Sequence, residues 1–272
     1  MGRIGDKWYY KLPSEENGMP VFYCCDLNGQ NEKKIGKFPH SGTSTALYFD
    51  DSCIADTDDP VFDEETGTWV ADNPVSAIYQ YHFDTGEEEV LRPETDAGLY
   101  ELYGMYGGQL VYRLKKDGCG FLEFLDLETG EITKPLGDRK IMGPVSMKGD
   151  LFACTLLEGG IRRVIELELK SGEWKETVPE LTEVSVLFWS DEMKTATVYE
   201  KGNLYKVYQY LGDGTCRLAR EDDISAYREV LAINGDLVIG VSYYDMEAQF
   251  CIGVMKKEDY LAGKNNWTVL EY

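Results

Sequence analysis

Residues 121–136, FLEFLDLETGEITKPL, decide how the rest of the sequence is read. They form a strand, a tight turn at Thr129-Gly130 and a second strand. A glycine of the same kind recurs at Gly29 (LNGQN), Gly86 (DTGEE), Gly172 (KSGEW) and Gly214 (GDGTC), and with Gly130 the intervals are 57, 44, 42 and 42 residues. A second turn series, Gly149-Asp150-Leu151 and Gly235-Asp236-Leu237, lies 86 residues apart, two periods of 43. Two turn series with one shared period mark a repeat protein.

The side-chain phase agrees, because strands alternate faces with a period of two. Counting back from the turn glycine in odd steps gives Phe83, Tyr81 and Tyr79 in one repeat and Leu169, Leu167 and Ile165 in another, with Glu166, Glu168 and Lys170 on the opposite face. The Gly130 repeat keeps Leu127 and Leu125 but places Glu123 third, and the phase slips by one where Asn28-Gly29 makes a shorter turn. A period near 43 with about four strands per unit and no helical stripe indicates a β-propeller blade. In the third unit the strands, lettered a to d, cover residues 99–106, 109–114, 121–127 and 131–136. Pro135 suits strand d, the outer edge of a blade, since proline donates nothing to a ladder. The expected fold is all-β, one six-bladed propeller with units at 1–39, 40–93, 94–137, 138–180, 181–221 and 222–272. Strand a of the first unit is short or missing, and residues 267–272 are a final d strand.

A net charge of −22, from 49 acidic against 27 basic residues, argues against nucleic acid or an anionic membrane surface, which reward a basic face. It suits a cationic ligand or a basic protein. Seven cysteines, odd in number and without a CxxC, are expected to remain free thiols in a reducing compartment. No apolar run reaches the ~18 residues of a membrane span, and MGRIGDKWYY is not a signal peptide. The sequence as written therefore reads as cytoplasmic and monomeric; a trimmed N-terminus would make it extracellular or a lipoprotein.

Unit one carries a resemblance. Trp8-Tyr9-Tyr10, Asp26-Leu27-Asn28-Gly29 and Lys33-Lys34 are similar to the pattern of low-density-lipoprotein-receptor-type (YWTD-like) six-bladed propellers and related uncharacterised bacterial propellers. Those carry a Tyr-Trp-Thr-Asp-like strand, a Leu-Asp-Gly turn and a basic pair. Tyr10 and Lys11 stand where that core has threonine and aspartate, so the family's binding residues are not carried over. The later units match only in spacing. The resemblance implies a six-bladed ring and a binding role.

Unit two holds the large insertion behind the interval of 57, IADTDDPVFDEETGTWVADNPV between Cys53 and Ser76. Residues 61–70 are expected to form a hairpin about Thr66-Gly67, projecting from the b–c connection, with Asp56, Asp58, Asp59, Asp63, Glu64 and Glu65 making it acidic. A calcium loop counted from Asp56 fails, with Val61 where glycine is needed and Gly67 where glutamate is needed. In unit six the long c–d connection, KKEDYLAGKNN, is expected to hold a helical turn.

There is no P-loop, dinucleotide fingerprint, GxSxG elbow or HExxH, and nothing calls for a cofactor. The chain has two histidines, His40 and His82, which excludes a multi-histidine metal site. His82 reads as structural, whereas His40 follows Phe38-Pro39 in a d–a loop of the kind that surrounds an axial pocket. Aromatic pairs such as Phe188-Trp189 put one ring on each face of a blade, which is core packing; Trp69 at the flap tip is the exception. Two functions remain. One is a non-catalytic module presenting a loop-rich face to a protein, peptide or glycan. The other is a lactonase- or lyase-like enzyme with a metal held by axial carboxylates, for which the loops expected around the axis supply His40, Thr95, Asp96, Asp138, Glu183, Asp222 and Asp223. The b–c and d–a loops share one face, and the long ones, at 13–20 and 53–76, are both b–c. The binding site is therefore expected there, with Trp69 as anchor, Asp58, Asp59, Asp63 and Glu64 as the steering field, and His40 and Arg139 nearer the axis.

Overall fold

The computed structural model describes residues 2–4, 6–13, 20–37, 45–57, 59–63, 68–178, 181, 183–201, 203–223, 226–242 and 251–270. The chain divides into two compact units, 1–135 and 136–272.

The first unit begins with an antiparallel sheet in chain order, β1 (Gly2–Ile4), β2 (Lys7–Pro13), β3 (Pro20–Asp26) and β4 (Lys33–Lys37). Its inner strand is present but only three residues long. A five-stranded sheet follows, of β5 (Ala46–Tyr48), β6 (Ser52–Asp56), β7 (Asp59–Asp63), β8 (Thr68–His82) and β9 (Glu88–Thr95), in which β8 pairs with β6, β7 and β9. Then comes the meander β10 (Leu99–Tyr106), β11 (Gln109–Lys116), β12 (Cys119–Asp126) and β13 (Ile132–Thr133).

The second unit contains β14 (Lys140–Lys148), β15 (Leu151–Glu158), β16 (Ile161–Glu168) and β17 (Trp174–Val178), again an antiparallel meander. β18 (Val184–Trp189), β19 (Lys194–Glu200), β20 (Leu204–Tyr210) and β21 (Cys216–Asp223) form the next sheet. β22 (Glu229–Asn234), β23 (Leu237–Ser242), β24 (Cys251–Lys256) and β25 (Thr268–Val269) form the last, with helix α1 (Lys257–Leu261) in the connection where a helical turn was expected.

The described strands do not sort into six separate four-stranded sheets; only β1–β4, β18–β21 and β22–β25 stand as four-stranded sheets on their own. Two local causes are visible. The 15-residue β8 runs beyond its sheet into a hairpin and gives the second set a fifth strand. β13 keeps only two residues, ending just before Lys134-Pro135, where the ladder would lose a donor.

The turn glycines behave as one family. Gly29, Gly86, Gly130, Gly172 and Gly214 have φ of 77°, 72°, 73°, 73° and 86°, a region open to glycine at little cost. At Gly86, Gly130 and Gly172 the glycine N–H donates to the carbonyl four residues back, His82, Asp126 and Glu168. Those same residues donate their own N–H to Glu87, Glu131 and Glu173. At Gly29 the loop is one residue tighter, Asp26 N–H to Gln30 O, which is the slip in phase expected there.

Each central sheet is buried on both faces, and alternation explains how. In β6, Cys53 and Ala55 pack with Phe22, Tyr79 and Tyr81, while Ile54 points the other way, with Ile78, to Tyr100 and Tyr112. In the second unit Trp189 joins Leu151, Val164 and Tyr210, and its neighbour Phe188 joins Val207, Val230 and Tyr260. Each fully buried aliphatic or aromatic side chain of this kind contributes roughly 1.5–3 kcal/mol. Polar side chains tie successive strand sets together: Ser76 Oγ accepts the Tyr100 N–H at 2.9 Å, and Ser146 Oγ accepts the Trp189 N–H at 3.0 Å. None of the seven cysteines is joined in a disulfide, and Cys24, Cys25, Cys53 and Cys154 are buried. Among the described residues no helix is long and apolar enough to cross a membrane.

Candidate functional site

The insertion in the second strand set forms the expected hairpin. Val61 pairs with Val70, Phe62 with Trp69 and Asp63 with Thr68. Its second arm is continuous with the strand that pairs with β6, so the flap extends from the b–c end of its own sheet. Asp59, Asp63 and Trp69 lie on its two arms, while His40, Asp58 and Glu64 fall outside the described residues. Asp56 does not belong to the acidic flap. It is 1% exposed and accepts the N–H groups of Thr45 at 2.7 Å and Leu102 at 3.1 Å, a buried tie rather than a surface charge. Arg139, in the second unit, pairs with Glu158 across the start of β14 and the end of β15, Nε to Oε1 at 3.0 Å.

A groove runs between the β14–β17 and β18–β21 strand sets of the second unit. Its middle is apolar, filled by Leu151, Val164, Val178, Trp189, Ala196 and Tyr210. At the b–c end of β18–β21 lies a cleft of about 540 Å³ with Leu181, Glu183, Val198, Tyr199, Glu200, Lys201 and Tyr208 on its walls. The opening has a local cause: a bulge between Val184 and Val186 breaks the β18–β19 register just where β18 begins. Tyr199 is 43% exposed yet held in place, its hydroxyl donating to Asn203 Oδ1 at 2.8 Å. Behind it lie Tyr205, 5.0 Å away between ring centroids, and then Tyr227, stacked on Tyr205 at 4.0 Å. Asn203 (φ 64°) turns the chain between β19 and β20. Glu200 pairs with Lys206 at 2.9 Å.

The opposite end of the groove is ionic. Glu166, 7% exposed, takes Trp189 Nε1 at 2.5 Å and Lys194 Nζ on Oε2, and Lys175 Nζ at 3.0 Å on Oε1. Burial alone would raise this carboxyl, but the hydrogen bonds from Lys194, Trp189 and Lys175 outweigh it and hold the group below the usual carboxylate range. The phase placed Glu166 opposite Leu167, which is correct; that this face is also buried was not legible, because the neighbouring sheet supplies Lys194 and Trp189. A second centre of the same kind joins Glu101 to Arg113, at 2.8 Å, and to Lys115.

Asp222 is not available to an axial metal, since it is locked to Arg220 by bonds of 2.6 and 2.7 Å. Among the described residues no three of His, Cys, Asp and Glu are grouped to hold a metal ion.

No protein-family model matches the sequence, and no curated protein does. Solved structures do. The β-propeller domain of the Trilobed protease from Pyrococcus furiosus, described as having an open velcro topology, aligns over 100% of this chain and 83% of its own, with a TM-score of 0.61 and 12% identity. Prolyl endopeptidase aligns over 97% of this chain and 40% of its own, with a TM-score of 0.69 and 12% identity. TolB from Acinetobacter baumannii aligns over 94% and 63%, with a TM-score of 0.55 and 15% identity. The chain thus spans well under two thirds of prolyl endopeptidase and slightly under two thirds of TolB. Likeness at such identity speaks for architecture, and the architecture is that of a β-propeller.

Proposed function

We propose that this chain is a non-catalytic binding module that takes a basic protein or peptide segment at the b–c ends of its strand sets, which we read as six blades. The observation that carries the reading is the hairpin of β7 and β8. The sheet closes without it, yet the chain prolongs one strand to 15 residues to build it. An extension that the scaffold does not need is kept for contact. In this reading Asp58, Asp59, Asp63 and Glu64 supply the steering charge and Trp69 the apolar anchor, with His40 and Arg139 as further candidate contacts. The cleft beside Tyr199 opens at the equivalent end of its own sheet and offers two tyrosines and two carboxylates, Glu183 and Glu200, beside one cation, Lys201. A net charge of −22 draws a cationic partner and repels an anionic one. A glycan stacked on Trp69 would not share this dependence on charge.

The test is titration of a C-terminally amidated Lys/Arg-rich peptide against the full chain and against a variant lacking residues 61–70. Binding should weaken steeply with salt and fall about tenfold or more on deletion. Unchanged affinity and salt dependence after deletion would show the flap to be ornament.

A further inference from the structure

The geometry points to a second site, at the a–b and c–d end of the groove between β14–β17 and β18–β21. We propose that it binds a basic amino acid by both of its charged ends, free or as the C-terminal residue of a peptide. The cleft there measures about 370 Å³, the size of a small-ligand pocket.

Its floor is the Glu166 centre. There two ammonium groups, Lys175 and Lys194, share one carboxylate, so cations outnumber anions within this centre although the rim makes the cleft as a whole acidic. Each ammonium has three donors and gives one to Glu166. Trp189, fully buried, fixes the carboxylate from beneath, and the Lys175 side chain is 59% exposed at the mouth. A ligand carboxylate therefore meets donors already gathered in place.

The rim has the opposite sign. Glu168 and Glu173 stand on the β16–β17 turn and Asp191 on the β18–β19 turn, all three exposed. Ser171 Oγ donates to Glu168 Oε2 at 2.7 Å, which holds one rim carboxylate in position. Trp174 forms a wall and is 37% exposed, with the Arg139 guanidinium 5.1 Å from its ring centroid on one face and the other face left for a ligand. A purely anionic ligand would be repelled by the rim and by the charge of the whole chain, and a purely cationic one would leave the floor ammoniums facing its positive charge. A carboxylate with a cation at the end of an alkyl chain satisfies both layers and lays its stem along the indole.

The experiment is isothermal titration at low salt with L-arginine, L-arginine amide and L-norleucine, then with short peptides ending in arginine as the acid or the amide. L-Arginine should bind saturably, and the amide and norleucine should each bind about tenfold or more weakly, since each lacks one charge-assisted contact. Binding of the peptide acid assigns the site to C-terminal residues; binding of the free amino acid alone assigns it to the metabolite. Lys175→Met, at an exposed position, should abolish the preference for arginine over its amide, and Glu173→Gln with Asp191→Asn the preference over norleucine. Equal affinity for arginine and its amide, or no saturable binding at millimolar concentration, would overturn the proposal. The amidated peptide used for the flap does not meet the floor's requirement, so failure at one site is distinguishable from failure at the other.

Discussion

Asp222 grips Arg220 through two parallel hydrogen bonds, with the guanidinium 1% exposed and 4.7 Å from the Tyr260 ring. Arginine and aspartate two apart on one strand share a face, so this pair was legible in the sequence, where Asp222 was instead grouped with the axial candidates. Removing one partner of such a pair leaves an unpaired buried charge. Asp222→Ala should therefore cost about 3–5 kcal/mol in urea unfolding, and Arg220→Met with Asp222→Leu should recover most of it. Glu166 makes a different prediction because its carboxyl is held low. A folded-state pKa below the unfolded value gives stability that is complete above an ordinary carboxylate pKa of about 4.3 and is lost as pH falls through the folded value. Glu166→Gln should cost about 1–2 kcal/mol near neutrality. Its deficit should shrink on acidification below that pKa; a deficit independent of pH would contradict the assignment. No sequence signal gave this centre or the Glu101–Arg113 pair, because their partners come from adjacent strands whose register has to be seen.

Strand boundaries were mostly readable, since the alternation and turn glycines that mark them are local. Leu99–Tyr106 falls where the pattern puts it, and Gln109–Lys116 and Cys119–Asp126 cover most of the strands expected at 109–114 and 121–127. The continuous β8 was not readable, because Pro74 interrupts the pattern. Pro60 and Pro74 both fall in the register break between the Asp59–Val75 and Val61–Val70 pairs, where fewer ladder donors are required. The last sheet shows a packing device of similar subtlety. Gly240 and Gly253 pair across β23 and β24, and the Trp267 indole and Arg228 lie over them. A Cβ on Gly240 would come 2.8 Å from Trp267 Cη2 and 3.1 Å from Arg228 Cβ, and one on Gly253 3.2 Å from Trp267 Cε3. Gly240→Ala should cost about 1–3 kcal/mol. The cost should fall sharply in a Trp267→Ala background, and additive costs in that double-mutant cycle would refute the contact.

For the molecule as a whole, the period near 43 carried the architecture, and the likeness to solved propellers agrees with it. What the period could not show is where strand sets depart from the average, as in the five-stranded sheet. Nor does it show how charge is distributed between interior and surface. Arg113 and Arg220 are withdrawn into buried pairs, and Asp56, Glu166 and Asp222 are buried as well, so the surface keeps about the acidic excess that composition implies. The proposed binding face follows from that field and from the flap. It is tested most directly by hydrogen–deuterium exchange with and without the amidated basic peptide. The account predicts slowed exchange in the hairpin at 61–70 and in the β19–β20 turn near Tyr199, with the turns at Gly86, Gly130, Gly172 and Gly214 unchanged. Protection confined to those glycine turns would contradict it.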